Sequence, residues 1–146
     1  MKQSNEDKNF LNMSGEYGVC SELQKRKIQC SITFGNQKAA DILILKDNKY
    51  WVVEVKTTRA KTVATNFFQN YHSRTQTPRP DFWIVVHIDN DTHVSDFYIL
   101  THEEMAHQQM IVNQMTEWTA IKGFDKVTIS QLATYKNKWD TIVSSF

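Results

Sequence analysis

A chain of 146 residues, 40% of them hydrophobic, has the size and apolar content of one globular domain, which excludes a disordered or fibrous chain. No apolar run is long enough to span a bilayer, the N-terminus lacks the apolar stretch of a signal peptide, and two cysteines make no disulfide framework. A cytoplasmic, reduced protein with no membrane partner is therefore expected. The net charge of +1 conceals an uneven distribution: residues 20–80 carry eleven Lys/Arg against four Asp/Glu, a net +7, whereas residues 81–146 carry −5.

Residues 1–9 are polar and expected to be flexible. Ser14 is a predicted N-cap for a first helix running to about residue 27 and bearing Glu16 and Glu22, with Tyr17, Val19, Cys20 and Leu23 supplying one packed side. A strand is predicted over 28–34, followed by a Gly35-Asn36 turn. Residues 39–45 and 50–56 form a predicted hairpin around Lys46-Asp47-Asn48-Lys49. A loop then leads to a short helix over 63–71 and a polar connection over 73–80. The almost continuously apolar segment 81–88 reads as a strand buried on both faces, followed by a strand over 96–100. Thr101-His102-Glu103-Glu104 matches a capping box opening a helix to about residue 119, and Ser130 is a predicted cap for a last helix ending near Val143. The whole pattern, residues 1–146, is that of a single α/β domain with a mixed central sheet.

The second hairpin strand, Tyr50-Trp51-Val52-Val53-Glu54-Val55-Lys56, is apolar until it ends in two opposite charges. Side chains two apart on a strand share a face, so Glu54 and Lys56 project together, with Asp41 on the neighbouring strand. Two carboxylates beside one ammonium suit a hard divalent cation and an attacking water. A bare Glu-x-Lys is more often a cross-strand ion pair on a solvated hairpin face. Here Asp41 stands among Ala39, Ala40, Ile42 and Leu43, and Glu54 among Val52, Val53 and Val55, where charges are costly without a metal, a partner or a deep cleft. The basic segment surrounding these acids suits a polyanionic substrate.

The series Gly15-Glu16, Glu22-Leu23, Ala40-Asp41-Ile42-Leu43 and Val53-Glu54-Val55-Lys56-Thr57-Thr58 resembles the PD-(D/E)XK nuclease superfamily, over roughly residues 14–88. That group includes type II restriction endonucleases and archaeal Holliday-junction resolvases. The resemblance implies a restriction endonuclease-like three-layer core, a mixed central sheet flanked by helices. It implies that Asp41 and Glu54 hold Mg²⁺ or Mn²⁺, with the backbone carbonyl of Val55 as a further ligand. Lys56 would position water and stabilise charge, and Glu16 would support the metal from the first helix, with Glu22 a weaker candidate. Ala40 stands where the motif's proline is common. The literal Pro80-Asp81 follows Glu-x-Lys, so its order rejects it as the site, and Asp81 reads as a strand-end or turn residue. Asp47 reads as a turn residue.

Other features carry less. His102 and His107, five apart at ~100° per residue, diverge by ~140° and cannot face one zinc ion. Cys20 and Cys30 read as small apolar residues. Gln69 could reach the site, and Phe67, Phe68 and Tyr71 could stack bases, though helical spacing favours core. Lys38, Arg59, Lys61 and Arg74 are the candidate DNA contacts. The expected activity is metal-dependent hydrolysis of DNA phosphodiester bonds. Since no helix-turn-helix or zinc finger is present, structure-selective cleavage, for instance of branched or single-stranded DNA, or specificity supplied by a partner subunit is favoured over stand-alone restriction. The alternatives are a catalytically idle nuclease-like module that binds DNA or a protein, and an enzyme acting on RNA or nucleotides. A homodimer joined through Met105, Met110, Ile111, Met115, Trp118, Tyr135 and Trp139 is a further expectation.

Overall fold

The structure, a computed structural model, describes residues 4–33, 41–71, 79–115 and 123–146. Its first element is a long helix, α1 (Asn5–Lys25). Ser4, not Ser14, is the N-cap: its hydroxyl accepts from Asp7 N at 3.1 Å, and Glu6 and Asp7 complement the positive end of the helix dipole. Ser14 lies inside the helix and donates to the Leu11 carbonyl at 2.7 Å. Residues 5–9 are thus helical rather than frayed. Their polarity misled because this part of α1 is solvated on most sides.

The sheet is built from β1 (Cys30–Ile32), β2 (Ile42–Lys46), β3 (Lys49–Thr58), β5 (Phe82–Ile88) and β6 (Ser95–Thr101), in the order β1-β2-β3-β5-β6. β3 and β5 pair in parallel and the other neighbours antiparallel, so the sheet is mixed as expected. Asp47 and Asn48 turn the β2–β3 hairpin with φ of 52° and 62°, the left-handed pair that a two-residue loop requires. β5 is buried along almost its whole length, as its apolar run dictates. Asp81 locks its start: its carboxylate accepts from Val52 N at 2.7 Å and its N–H donates to Val52 O at 2.8 Å.

The parallel β3–β5 crossover contains β4 (Thr62–Ala64) and a single helical turn, α2 (Phe67–Asn70). Residues 62–64 therefore belong to a strand, not to the helix expected from residue 63. β4 pairs with β7 (Lys126–Thr128) in a small second sheet. Three-residue strands are too short to show a period of two, so neither was visible in the pattern. Thr101 caps α3 (His102–Val112) with both bonds of the capping box in place. Ser130 caps nothing: it opens a 3₁₀ segment, Ser130–Tyr135, ahead of α4 (Asp140–Val143).

One face of the sheet, with Ile42, Val53, Ile84 and Ile99, packs on Val19 and Leu23 of α1 and on Trp139 and Ile142. The opposite face, with Trp83, Val85 and Leu100, packs on Val63, Phe67, Met105 and Leu132. These are the three layers of the expected architecture. Met105 and Trp139, taken as dimer contacts from sequence, are core residues, and Arg26 stacks on the Trp139 ring at 4.6 Å. Ile111 is exposed, and Trp118 lies outside the described residues.

Candidate active site

Pairing between β2 and β3 begins at Ile42↔Val53. Beyond that point the strands part, and the Asp41 side chain replaces the missing strand: its Oδ2 accepts from Val55 N at 2.8 Å. The Asp41 backbone is tied on both sides, its N–H donating to Val53 O at 3.3 Å and its carbonyl accepting from Thr33 N at 3.0 Å. Asp41 is therefore tied to β3 through both backbone and carboxylate, and to Thr33, the residue after β1, through its carbonyl. N–H and C=O of alternate strand residues share an edge, so the Val55 carbonyl opens toward the same gap as Asp41.

Glu54 and Lys56 point to the opposite side of β3 from Val53 and Val55, and they form an ion pair at 3.1 Å. Their side chains are only 16% and 20% exposed. Across the strand they lie beside Trp83 and Val85, two fully buried residues. Charges at these positions need compensation, and the ion pair supplies part of it.

Glu16 arrives from the other layer. Gly15 permits this, because a Cβ there would overlap the Thr57 hydroxyl and lie 2.9 Å from Thr57 Cβ. Without a side chain at residue 15, α1 lies directly on the end of β3 and holds Glu16 at 3% exposure. Glu16, Asp41, Glu54, Val55 and Lys56 then line one cleft of about 720 Å³, together with Thr58, Thr62 and Asn66. Among the described residues, no group of three or more His, Cys, Asp or Glu side chains forms a ready-made metal cluster.

Sequence reasoning missed the other wall of this cleft. Lys8, Asn9 and Asn12 line it from the first turns of α1. The signal was Ser4 followed by Glu6 and Asp7, which marks a helix start ten residues before Ser14. Tyr71 was also undervalued. Its phenol is pushed up to about 12, first by burial and then by the negative charges of Glu54 and Asp41. It stays neutral beside the acids, its ring packed edge-on to Trp83 and His102.

The remaining candidates separate. Phe67 and Phe68 are buried core residues, not stacking surfaces, and Gln69 is exposed and does not line the cleft. Glu22 is taken up by Lys25 at 2.7 Å and Arg26 at 3.4 Å. Lys61 is exposed on the turn after β3. Arg59 is fixed by the Asp89 carbonyl at 3.0 Å and His93 Nδ1 at 3.2 Å. Lys38 and Arg74 lie outside the described residues. His102 is buried and accepts from Trp83 Nε1 at 3.1 Å, while His107 is exposed. Cys20 and Cys30 are free thiols, half-buried against the core, and burial pushes Cys20 up to about 12. No described helix is long and apolar enough to cross a membrane.

No protein-family model matches the chain, and no curated protein does. Solved structures do. The chain is similar to the bacterial homing endonuclease I-Ssp6803I, with a TM-score of 0.60, 12% identity, and 99% of this chain and 94% of that one covered. It is also similar to Hjc, a Holliday junction resolvase of Archaeoglobus fulgidus, with a TM-score of 0.55, 14% identity, and 92% and 97% covered. These likenesses show the fold: an α/β, restriction endonuclease-like core.

Proposed function

We propose that this chain, which has the restriction endonuclease-like fold, is a DNA endonuclease that hydrolyses phosphodiester bonds with Mg²⁺ or Mn²⁺. The observation that carries the reading is the convergence of Glu16, Asp41, Glu54 and Lys56, from two layers and two strands, on one cleft. One structural neighbour is named a homing endonuclease and the other a Holliday junction resolvase, which agrees with it.

The donor set fits a hard cation. Mg²⁺ is commonly held by one or two carboxylates, with waters and substrate phosphate completing its shell, so a three-residue cluster is not required. Asp41 and Glu54 would hold it, with the Val55 carbonyl at the same edge. When bound, the metal lowers the pKa of a coordinated water and offsets charge on the phosphate. Lys56 supplies a fixed positive charge to the attacking water or a phosphoryl oxygen, oriented by Glu54 at 3.1 Å. Glu16, held at 3% exposure by the Gly15 contact, adds negative charge on the α1 side. Arg59 and Lys61, with Lys38 and Arg74 from the same basic segment, would attract the polyanion.

A catalytically idle module that only binds DNA is the second reading. It is favoured by the existing Glu54–Lys56 pair and by the lack of a ready-made three-residue cluster among the described residues. A panel of linear, nicked, branched and single-stranded DNA, with RNA as a competitor, separates the two. Strand breaks that require Mg²⁺ or Mn²⁺ are expected. Salt-dependent binding with no metal-stimulated breaks would replace the enzyme with the module.

A further inference from the structure

Next to the cleft, α1 and the turn after β3 enclose a second notch of about 510 Å³, lined by Asp7, Phe10, Leu11, Ser14 and Arg59. That volume falls within the roughly 300–1,000 Å³ of small-ligand sites. Its two ends differ in chemistry. Phe10 is 69% exposed, a large aromatic ring that the fold does not bury. Asp7 stands one turn before it on the same helical face, and among the described residues no ion pair occupies its carboxylate. Arg59 closes the far side, immobilised by Asp89 O and His93. Leu11 lines both notch and cleft, and Arg59 follows Thr58 of the cleft wall, so the two spaces adjoin.

We propose that this notch captures an unpaired nucleobase of the strand lying in the cleft. Phe10 supplies the stacking face, Arg59 the charge for the flanking phosphate, and Asp7 an acceptor for an exocyclic amino group. An aromatic platform beside a fixed cation is the chemistry by which single strands are held. A carboxylate repels phosphate but accepts from a base amino group, so adenine, cytosine and guanine are favoured over thymine. The inference rests on the reading of the cleft as a nucleic-acid site, and it names the feature of the substrate: an unpaired base beside the scissile phosphate.

The test uses the full chain in EDTA, with a duplex bearing a short single-stranded flap that contains 2-aminopurine, whose fluorescence falls on stacking. Binding is expected to quench the flap probe, and the protein should prefer the flap to a blunt duplex. Phe10→Ala should remove the quench and lower flap affinity about tenfold, the loss of one base–aromatic stack, while Phe10→Trp restores both. Asp7→Ala should equalise affinity for adenine and thymine flaps. Undiminished quench and flap preference in Phe10→Ala would overturn the notch. Asp41→Asn separates the two claims: loss of cleavage with the quench retained supports both. A Phe10-dependent quench in a protein that never cuts DNA supports the notch and removes the enzyme.

Discussion

β3 and β5 run side by side in parallel, registered from Val53↔Phe82 to Thr58↔His87, yet they serve opposite ends. β5 places Trp83, Ile84, Val85 and Val86 wholly inside, filling both layers. β3 matches it at Val53 and Val55 on the α1 side, but on the other face sets Glu54 against Trp83 and Lys56 against Val85. One strand is packing throughout. Its neighbour packs on one face and on the other presents the Glu54–Lys56 ion pair to the cleft. The comparison implies that damage to β5 should appear in stability, and damage to the charged face of β3 in activity.

The largest expected effect on stability comes from Trp83→Ala. It empties a site that Phe67, Tyr71 and His102 all touch, and about 3–5 kcal/mol should be lost in denaturant unfolding. Lys56→Ala, two residues along β3 from the partner of Trp83, should keep the far-UV spectrum and the cooperative transition. Should the two unfold alike, the division between the strands is wrong.

Gly15→Ala tests how the layers meet. The new Cβ must displace Thr57 or α1, and overpacking of this kind costs about 1–3 kcal/mol. Because Glu16 follows directly, the same variant should lose cleavage beyond its loss of stability. Thr57→Ala removes the colliding hydroxyl and should return part of both. No recovery in the double variant would mean that Gly15 is not set by Thr57.

His102 gives a pH signature to the β5 side. Burial, and then the positive charge of Arg79, lower it from the usual 6.5 to about 4. The folded protein holds it neutral, with Nδ1 accepting from Trp83, while the unfolded chain binds a proton below about 6.5. Its contribution is therefore intact above about 6.5 and declines as the pH falls toward 4. Unfolding midpoints measured across that range should fall on acidification, and His102→Gln should flatten the slope. Asp81→Ala, which removes the exposed carboxylate acceptor of the Val52 N–H just before β5, should have the smallest effect, about 0.5–1.5 kcal/mol.

How far these strands could be read in the sequence follows from their physics. β5 was legible because a strand buried on both faces needs an unbroken apolar run. The Thr101 capping box and the Asp47-Asn48 turn were legible because each is a local solution with fixed residue types. Asp41, Glu54 and Lys56 stood out as charges among β-formers. What failed was decided at a distance. β4 and β7 exist because they pair with each other across more than sixty residues of sequence, from Val63 to Val127. The early turns of α1 are polar because they face solvent and the cleft. Phe10 and Arg59 come to line one notch only through the fold, so no spacing announces them.

The central claim, that Asp41 and the charged face of β3 together form the proposed catalytic site, is tested most directly by single-turnover cleavage of branched DNA in Mg²⁺. Asp41→Asn preserves size and an acceptor for Val55 N, yet removes the negative charge. A fall in rate of about 10²–10³-fold, with DNA binding in EDTA and unfolding both unchanged, is the expected result. Cleavage by Asp41→Asn at the parent rate would contradict the account.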